Sequence, residues 1–275
     1  MIKIRSHKNF FGYYGESTKW EEVKLQNFPD GTLLLKTDFC CEDIDIMWQY
    51  ENDAELFTVI CLAKKAKIKK LIMPYCPHAR QDRVKSFEDT FTLKYFAEII
   101  NSLGFESVEI LDPHSSVCEA LIDNIIVRKP DEYVLKAIEE IEYDKNLVLF
   151  YPDEGACKRN LGRYGVKKFP HAFGIKKRDW ATGQILGLDV IDNGIDLNGK
   201  TILIVDDISS RGGTFYHSAK KLKELGVGDI YLYITHCENT ILEGEVLTSG
   251  LIEKVFTTNS IFTKEHEKIQ VFELN

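Results

Sequence analysis

The sequence has 275 residues, of which 44% are hydrophobic and 28% charged, and it carries a formal net charge of -8. This length exceeds the commonest size of one compact domain, about 100 to 150 residues, so two globular domains are expected. The negative charge argues against nonspecific nucleic-acid binding, because neutralised phosphates supply most of that affinity. We therefore expect no nucleic-acid partner.

The apolar segments are too short to cross a membrane. Residues 56–63 and 201–205 are among the longest, whereas a spanning helix needs about 20 apolar residues. Residues 1–9 do not lead into the apolar segment that a secretory signal contains. The seven cysteines are scattered and odd in number, which favours reduced thiols over a disulfide framework. We therefore expect a cytoplasmic protein without a membrane partner.

In chain order, the predicted elements begin with residues 1–39, which are rich in β-type residues around a turn at Pro29-Asp30-Gly31. Helical and strand patterns then alternate. Helices are predicted at 54–66, 92–103, 130–141 and 214–225, and strands at 70–74, 107–112, 147–151, 201–206 and 229–235. This alternation is typical of an α/β protein with parallel sheets. We place one domain at residues 1–137 and a second at 138–275.

The strongest local pattern is an apolar strand that ends in two acidic residues and a small-residue loop. The strand leads to Asp206 and Asp207, and the next helix is entered through Ser209, Ser210, Arg211, Gly212, Gly213 and Thr214. Carboxylates at the end of a parallel strand can hold a ribose diol or a metal ion, while loop amides and a helix N-terminus can bind phosphate. The alternative is an ordinary strand-turn-helix unit with a solvated acidic turn.

Four further segments contain candidate ligand-binding groups. The string Ala79-Arg80-Gln81-Asp82-Arg83 offers a planar cation for adenine stacking or phosphate binding, and an amide for hydrogen bonding. His114 follows a predicted strand, Asp153 precedes a helical segment, and Lys176 and Arg178 lie in a basic run. Each also has an ordinary interpretation: a solvated basic segment, a surface histidine, or an aspartate that caps a helix.

Taken in this order, the segments resemble the motifs of the phosphoribosyl diphosphate synthetase family. The resemblance runs from about Phe28 to His236, and the string at residues 79–83 is distinctive because phosphoribosyltransferases lack it. It implies an α/β fold with two Rossmann-like domains of the type I phosphoribosyltransferase kind. It also implies that the βγ-diphosphate of ATP moves to the anomeric hydroxyl of a 5-phosphorylated ribose, with release of AMP and with Mg²⁺ as cofactor.

The resemblance implies a role for each candidate residue. ATP binding is implied for Phe28, Asp30, Arg80, Gln81, Asp82 and His114. Catalysis is implied for Lys176, Arg178 and His114, and magnesium contacts for His114 and Asp153. Ribose and phosphate binding is implied for Asp153, Asp206, Asp207, Ser209, Ser210, Arg211, Gly212, Gly213 and Thr214. The turn at 28–32 reaches a neighbouring subunit in the family, which implies a homo-oligomer, either a dimer or a hexamer.

Two departures from the family pattern concern the substrates. Thr32 stands where the family usually has glutamate, and Ser210-Arg211 stands where it usually has Asp-Thr. The second change replaces a carboxylate by a hydroxyl and adds a guanidinium, so the loop tolerates more negative charge. We therefore extend the expected acceptors from ribose 5-phosphate to ADP-ribose, which would give ADP-ribose 1-diphosphate for NAD salvage.

Two alternative functions remain. A noncatalytic regulatory subunit is consistent with the departures at Thr32, Ser210 and Arg211, although retention of the catalytic candidates argues against it. A phosphoribosyltransferase would share the loop at 206–214 but would not need the strings at 79–83 and 176–178.

Overall fold

The computed structural model describes residues 1–10, 13–16, 19–37, 43–141, 146–160, 166–178 and 185–274. The chain divides into two compact units, Met1–Arg128 and Lys129–Asn275, each with its own apolar core. The side chains of Lys176 and Arg178 lie outside the described part, although their backbone lies within it. Each unit is built on one main β-sheet.

Unit 1 combines a mixed sheet with helices between its parallel strands. Its strands are β1 (Ile2–Phe10), β2 (Tyr13–Glu16), β3 (Glu21–Glu22), β4 (Leu25–Asn27), β5 (Leu33–Leu35), β6 (Asp43–Trp48), β7 (Lys67–Ile72), β8 (Ser107–Leu111) and β9 (Ile125–Arg128), and its helices are α1 (Ala54–Lys65), α2 (Thr92–Ser102) and α3 (Val117–Leu121). The sheet order is β2-β1-β6-β7-β8-β9, with β3 also paired to β1 and with β4 and β5 in a separate hairpin. Strands β6 to β9 run parallel, and β1 is antiparallel to β6.

One face of α2 is buried in the core of unit 1. The buried positions recur at helical spacing, at Leu93, Phe96, Ala97 and Ile100. Burial of each large apolar side chain contributes about 1.5 to 3 kcal/mol. The start of α1 is held by Glu55, whose Oε2 accepts hydrogen bonds from the Trp48 indole and the Glu51 backbone, both at 2.9 Å.

Strand β7 begins earlier than the sequence pattern predicts. The predicted strand covers 70–74, whereas β7 runs from Lys67 to Ile72. Three lysines obscure its apolar alternation, and each pairs with a carboxylate: Lys67 with Glu106 at 3.3 Å, Lys69 with Asp43 at 3.3 Å and Lys70 with Glu109 at 3.6 Å. Cross-strand pairs of opposite charge are favourable in a sheet, so these charged residues are compatible with a strand.

Unit 2 is a largely parallel sheet flanked by helices. Its elements are α4 (Asp131–Glu139), β10 (Leu147–Tyr151), α5 (Glu154–Asn160), β11 (His171–Arg178), β12 (Ile185–Ile191), β13 (Thr201–Ser209), α6 (Gly213–Glu224), β14 (Ile230–Cys237), a 3₁₀ helix (Asn239–Glu243), α7 (Glu245–Thr248), β15 (Lys254–Thr258) and β16 (Ile269–Phe272). The sheet order is β12-β11-β10-β13-β14-β15-β16. Strand β12 is antiparallel to β11, and the other pairs are parallel.

Strands β10 and β13 form the centre of the unit 2 sheet. All of β10 and the first five residues of β13 are buried, as expected for parallel strands that are covered on both faces. They pair from Leu147↔Thr201 to Phe150↔Ile204. Their carboxyl ends therefore lie side by side, and β13 continues through its acidic residues to Ser209.

Helix α4 belongs to unit 2, because it packs on β14 and β15. The division of the chain therefore falls before residue 137, where the sequence analysis ends the first domain. The predicted class, α/β with parallel sheets, is confirmed in both units.

The helices are short in both units. The longest in the described part of the chain, α1 and α6, have 12 residues each. Among the described residues, none of the helices combines the length and the apolar character that crossing a membrane requires.

Candidate functional site

The predicted phosphate-binding residues Ser209 to Thr214 run from the last residue of β13 through a short turn into the first residues of α6. Gly212 in this turn has a φ of 76°, and an added Cβ would approach Val246 Cγ1 to 2.9 Å. A side chain is therefore disfavoured there by both conformation and space. The turn presents backbone N–H groups at the start of a 12-residue helix, an arrangement that suits an anion.

The side chains of this turn do not all face outward. Ser209 is buried, its Oγ donates to the Ser210 carbonyl at 3.1 Å, and its own carbonyl accepts the Glu238 N–H at 2.8 Å. Ser210 and Thr214 are half-buried, and Gly213 is exposed. In this structure Ser209 therefore shapes the turn.

A buried ion pair lies at the carboxyl end of β13. Arg159 of α5 donates from Nη2 to Asp207 Oδ1 and, at 3.3 Å, to Asp206 Oδ1. Asp207 is 3% exposed and Asp206 13%, whereas the Arg159 side chain is 33% exposed. The two predicted ribose-binding carboxylates thus share one cation. Arg159 lies in a basic segment of the sequence but was not among the predicted site residues; the signal that could have assigned it is the acidic pair, which needs a counter-charge when it is buried.

Asp206 retains its proton to a higher pH than an ordinary aspartate does. Burial raises the pKa of Asp206 well above its usual value of 3.8, and the charge and hydrogen bond of Asp207 raise it further. Arg159 lowers the pKa and Asp153 raises it, because a guanidinium favours the charged carboxylate and a neighbouring negative charge disfavours it. Burial and the negative charge of Asp207 thus disfavour the ionised form of Asp206.

Asp153 follows β10 and caps α5. Its Oδ1 accepts the Ala156 N–H at 2.9 Å, and its carbonyl accepts the Cys157 N–H at 3.0 Å. This is the capping role that an aspartate at a helix start commonly has. The carboxylate is nevertheless close enough to Asp206 to raise its pKa. The structure therefore brings Asp153, Asp206 and Asp207 together at one edge of the unit 2 sheet.

Arg211 extends from the turn between β13 and α6 and pairs with Glu243. Its Nη2 lies 2.9 Å from Glu243 Oε2, and the two side chains are 72% and 59% exposed. The next residue, Gly244, packs so tightly that an added Cβ would overlap the Arg211 carbonyl oxygen. The 3₁₀ helix thus packs on the turn and offers Arg211 a partner that sequence reasoning did not identify.

Lys176 and Arg178 lie in the β11–β12 hairpin. Strand β11 runs parallel to β10 as far as Phe173 and then continues beyond it, with Lys176 opposite Leu188 in β12. The register shifts between Lys177 and Arg178. The backbone thus carries both predicted catalytic residues past the end of β10, while their side chains lie outside the described part of the chain.

Asp82 is the buried member of the nucleotide candidates in unit 1, with 9% of its surface exposed. Its carboxylate accepts hydrogen bonds from Arg83 Nε at 2.6 Å, Arg83 Nη2 at 2.8 Å and Ser115 Oγ at 2.5 Å. The hydrogen bonds from Arg83 lower the pKa of Asp82 to about 2, with further contributions from Ser115 and from the charge of His114. Asp82 therefore remains ionised, with its carboxylate engaged by protein groups.

The other candidates of unit 1 lie on either side of this carboxylate. Arg80 and Gln81 are exposed, and Gln81 Oε1 accepts Thr92 Oγ1–H at 2.8 Å. His114 is half-buried and follows Asp112, whose φ of 42° turns the chain out of β8. Such a backbone conformation is uncommon for a residue other than glycine. The structure thus groups His114 with Asp82 at the carboxyl ends of β7 and β8.

The turn at 28–32 is well defined between β4 and β5. Asp30 Oδ1 accepts the Thr32 N–H at 2.9 Å and the Thr32 Oγ1–H at 2.7 Å, and these bonds lower the pKa of Asp30. Gly31 has a φ of 86°, and Phe28 is 49% exposed. Thr32, which departs from the family pattern, therefore holds the Asp30 carboxylate within the turn.

A preformed metal cluster is not part of the described structure. No group of three or more His, Cys, Asp or Glu side chains among the described residues is arranged to hold an ion. Magnesium is commonly held by one or two carboxylates together with substrate phosphates and water. The carboxylates at the carboxyl ends of β10 and β13 fit a site in which the protein supplies one or two oxygen ligands and substrate phosphates and water supply the rest.

Replacement of Asp206 by asparagine should make the protein more stable at neutral pH. Because the pKa of Asp206 in the folded state lies above 3.8, the folded state binds more protons, and stability falls as the pH rises through that pKa. Asparagine does not titrate, so its contribution to stability does not change with pH. Urea denaturation from about pH 4 to about pH 8 should show an advantage of Asp206→Asn that grows with pH.

Asp207→Asn provides the matched change, since it removes the carboxylate one residue along. It removes the charged partner of Arg159 and should lower the free energy of unfolding by about 1.5 to 3 kcal/mol, as expected for a lost hydrogen bond between charged groups. Lower stability of Asp206→Asn than of the unaltered protein at neutral pH would contradict the account of this site.

Comparison with known proteins assigns the chain to a family. No family model matches it. The ribose-phosphate pyrophosphokinase of Corynebacterium ammoniagenes is 30% identical over 231 residues, covering 82% of this chain and 71% of the relative. That of Thermoplasma volcanium is 29% identical over 283 residues, covering 95% of both.

The crystal structure of phosphoribosylpyrophosphate synthetase from Mycobacterium smegmatis has the same fold, with a TM-score of 0.73 and 21% identity over 92% of this chain and 86% of that one. The chain therefore belongs to the ribose-phosphate pyrophosphokinase family, and the resemblance read from its motifs is confirmed.

Proposed function

We propose that this chain transfers the βγ-diphosphate of ATP to the anomeric hydroxyl of a 5-phosphorylated ribose and releases AMP. The observation that carries the proposal is the carboxyl edge of the unit 2 sheet, where the carboxylates of Asp153, Asp206 and Asp207 lie beside an anion-binding turn. Carboxylates suit the hydroxyls of a sugar, and the turn suits its 5-phosphate. Membership of the ribose-phosphate pyrophosphokinase family supports the same reaction.

The chain's own groups orient the reactants and stabilise charge. Attack of the anomeric hydroxyl on the β-phosphorus forms the new P–O bond as the bond to AMP breaks, without a covalent enzyme intermediate. Negative charge spreads over oxygens in line with the attacking group. We propose that Lys176, Arg178 and His114 stabilise this negative charge, because cations stabilise a transition state where charge develops.

Residues of unit 1 are assigned to ATP in this proposal. The exposed Arg80 offers its guanidinium to adenine or phosphate, and Gln81 offers an amide. The exposed Phe28, together with Asp30, would contact the adenine of a neighbouring subunit, which requires a homo-oligomer, either a dimer or a hexamer. The contributions of these residues to ATP binding can be measured separately from the binding of the sugar acceptor.

Magnesium is the proposed cofactor, and when bound it would neutralise charge on the phosphate oxygens. Asp153 supplies the oxygen ligand that magnesium prefers, whereas the imidazole of His114 is a less suitable ligand for this hard cation. We therefore propose phosphate binding as the main role of His114 and a contact to the metal as its lesser role.

ADP-ribose is the acceptor that we propose beside ribose 5-phosphate. Arg211 adds a cation at the phosphate turn, and it is 72% exposed in a solvent-facing pair with Glu243. Exposed pairs contribute little stability, so a diphosphate can compete with Glu243 for the guanidinium. The product would be ADP-ribose 1-diphosphate, which would place the chain in NAD salvage.

The proposed reaction is tested by the release of AMP with each acceptor offered separately. In the presence of ATP and Mg²⁺, the unaltered protein should form equal amounts of AMP and a new sugar diphosphate, measured by chromatography and mass spectrometry. Lys176→Gln should reduce the rate by at least about a hundredfold, since one removed charge contact in a transition state costs that much. AMP from neither acceptor would favour a noncatalytic regulatory subunit over this proposal.

The role of Arg211 is tested by acceptor selectivity. Arg211→Thr should lower kcat/KM for ADP-ribose about tenfold, because a hydrogen bond to a charged group is lost, and it should change the value for ribose 5-phosphate less than about twofold. Lys220→Thr is the control, since it removes an exposed cation from α6 at a position away from the turn that holds Arg211. Equal losses with the two acceptors would refute a diphosphate contact by Arg211.

A further inference from the structure

The exposed residues Arg80 and Gln81 lie in a loop that is held by backbone hydrogen bonds, such as Gln81 N–H to the His78 carbonyl at 2.9 Å, and by side-chain contacts. They lie in the segment between β7 and α2, and residues 73–91, which are all described, form neither a helix nor a strand. Asp82, the next residue, is buried at 9% exposure. The buried carboxylate is therefore an anchor for the exposed pair that precedes it.

Ser115 links this anchor to the segment that carries His114. Its Oγ donates to Asp82 Oδ2 at 2.5 Å and accepts the Val117 N–H at 3.1 Å. Asp82 and Ser115 are 33 residues apart in the chain. One hydroxyl thus joins the loop after β7 to the first turn of α3, and both its donor and an acceptor position are used.

Arg83 engages the same carboxylate in a different way. Its Nε and Nη2 lie 2.6 Å and 2.8 Å from the two oxygens of Asp82. Because Arg83 is adjacent to Asp82 in the chain, this pair orients the carboxylate but joins no separate segments. Ser115 supplies a connection between segments, and a hydrogen bond to an ionised acceptor is stronger than a neutral one.

We propose that Ser115 is a positioning residue for nucleotide binding, because through Asp82 it holds the loop of Arg80 and Gln81 against the segment of His114. The inference rests on the proposed function, in which those residues bind ATP. A loop that is ordered before its ligand arrives binds more tightly, since the entropy of ordering has already been lost. Ser115 would thus act on ATP without touching the acceptor.

The test compares Ser115→Ala with Ser116→Ala in the full chain. Ser116 is the exposed neighbour, and its side chain makes no capping hydrogen bond to α3. The probe is α,β-methylene ATP with Mg²⁺, which cannot donate its diphosphate, and its affinity is measured by titration calorimetry. Ser115→Ala should bind it about tenfold more weakly, as expected for a lost hydrogen bond to a charged group. Ser116→Ala should differ less than about twofold from the unaltered protein.

A second measurement separates positioning from a general structural role. Ser115→Ala should raise KM for ATP and leave KM for the acceptor unchanged, whereas a general loss of structure would affect both. Ser115→Thr keeps the hydroxyl and should recover most of the affinity. Thermal unfolding of each variant establishes that the folded protein is being compared.

The outcomes distinguish this inference from the proposed function. Equal affinity of Ser115→Ala and Ser116→Ala for the analogue overturns the role of Ser115 while the unaltered protein still binds ATP and releases AMP. If the unaltered protein neither binds the analogue nor releases AMP, the proposed function fails and the role of Ser115 fails with it.

Discussion

The parallel pairing of β10 with β13 is the constraint on which the site in unit 2 depends. Two strands that are buried on both faces must run side by side, and they must end at the same edge of the sheet. Asp153 lies two residues beyond the end of β10, and Asp206 lies in β13 two residues beyond the last paired position, so the pairing brings these carboxylates to the edge of the sheet from which the chain enters α6. Ligands of open α/β sheets bind at this edge, and the local chemistry here suits a phosphorylated sugar.

Buried carboxylates held by arginine are a shared feature of the two units. In unit 2, Arg159 bridges Asp206 and Asp207, while in unit 1 Arg83 engages Asp82. The electrostatic results differ, because the pKa of Asp82 is lowered to about 2 whereas that of Asp206 is raised. Asp82 is thus a fixed anion that orders a loop, whereas burial and the neighbouring Asp207 disfavour the charged form of Asp206 at the place where a substrate is proposed to bind.

The sequence could predict the elements whose signals are local. Continuous apolar runs at 147–151 and 201–205 predict buried strands, and Gly212 predicts the turn into α6. The contacts of Arg159 could not be predicted, because they depend on how α5 is rotated against β13. The bond between Ser115 and Asp82 joins residues that no short motif connects. The early start of β7 was obscured because its lysines find carboxylate partners only in the folded sheet.

The central claim is that two phosphoryl groups move together from ATP to the sugar. Phosphorus-31 NMR of a reaction with ATP, Mg²⁺ and the better of the two acceptors follows every phosphorus atom at once. AMP and a diphosphate attached to the anomeric carbon should appear together in equal amounts. Appearance of ADP with a sugar monophosphate, or of free diphosphate without a sugar product, would contradict the central claim.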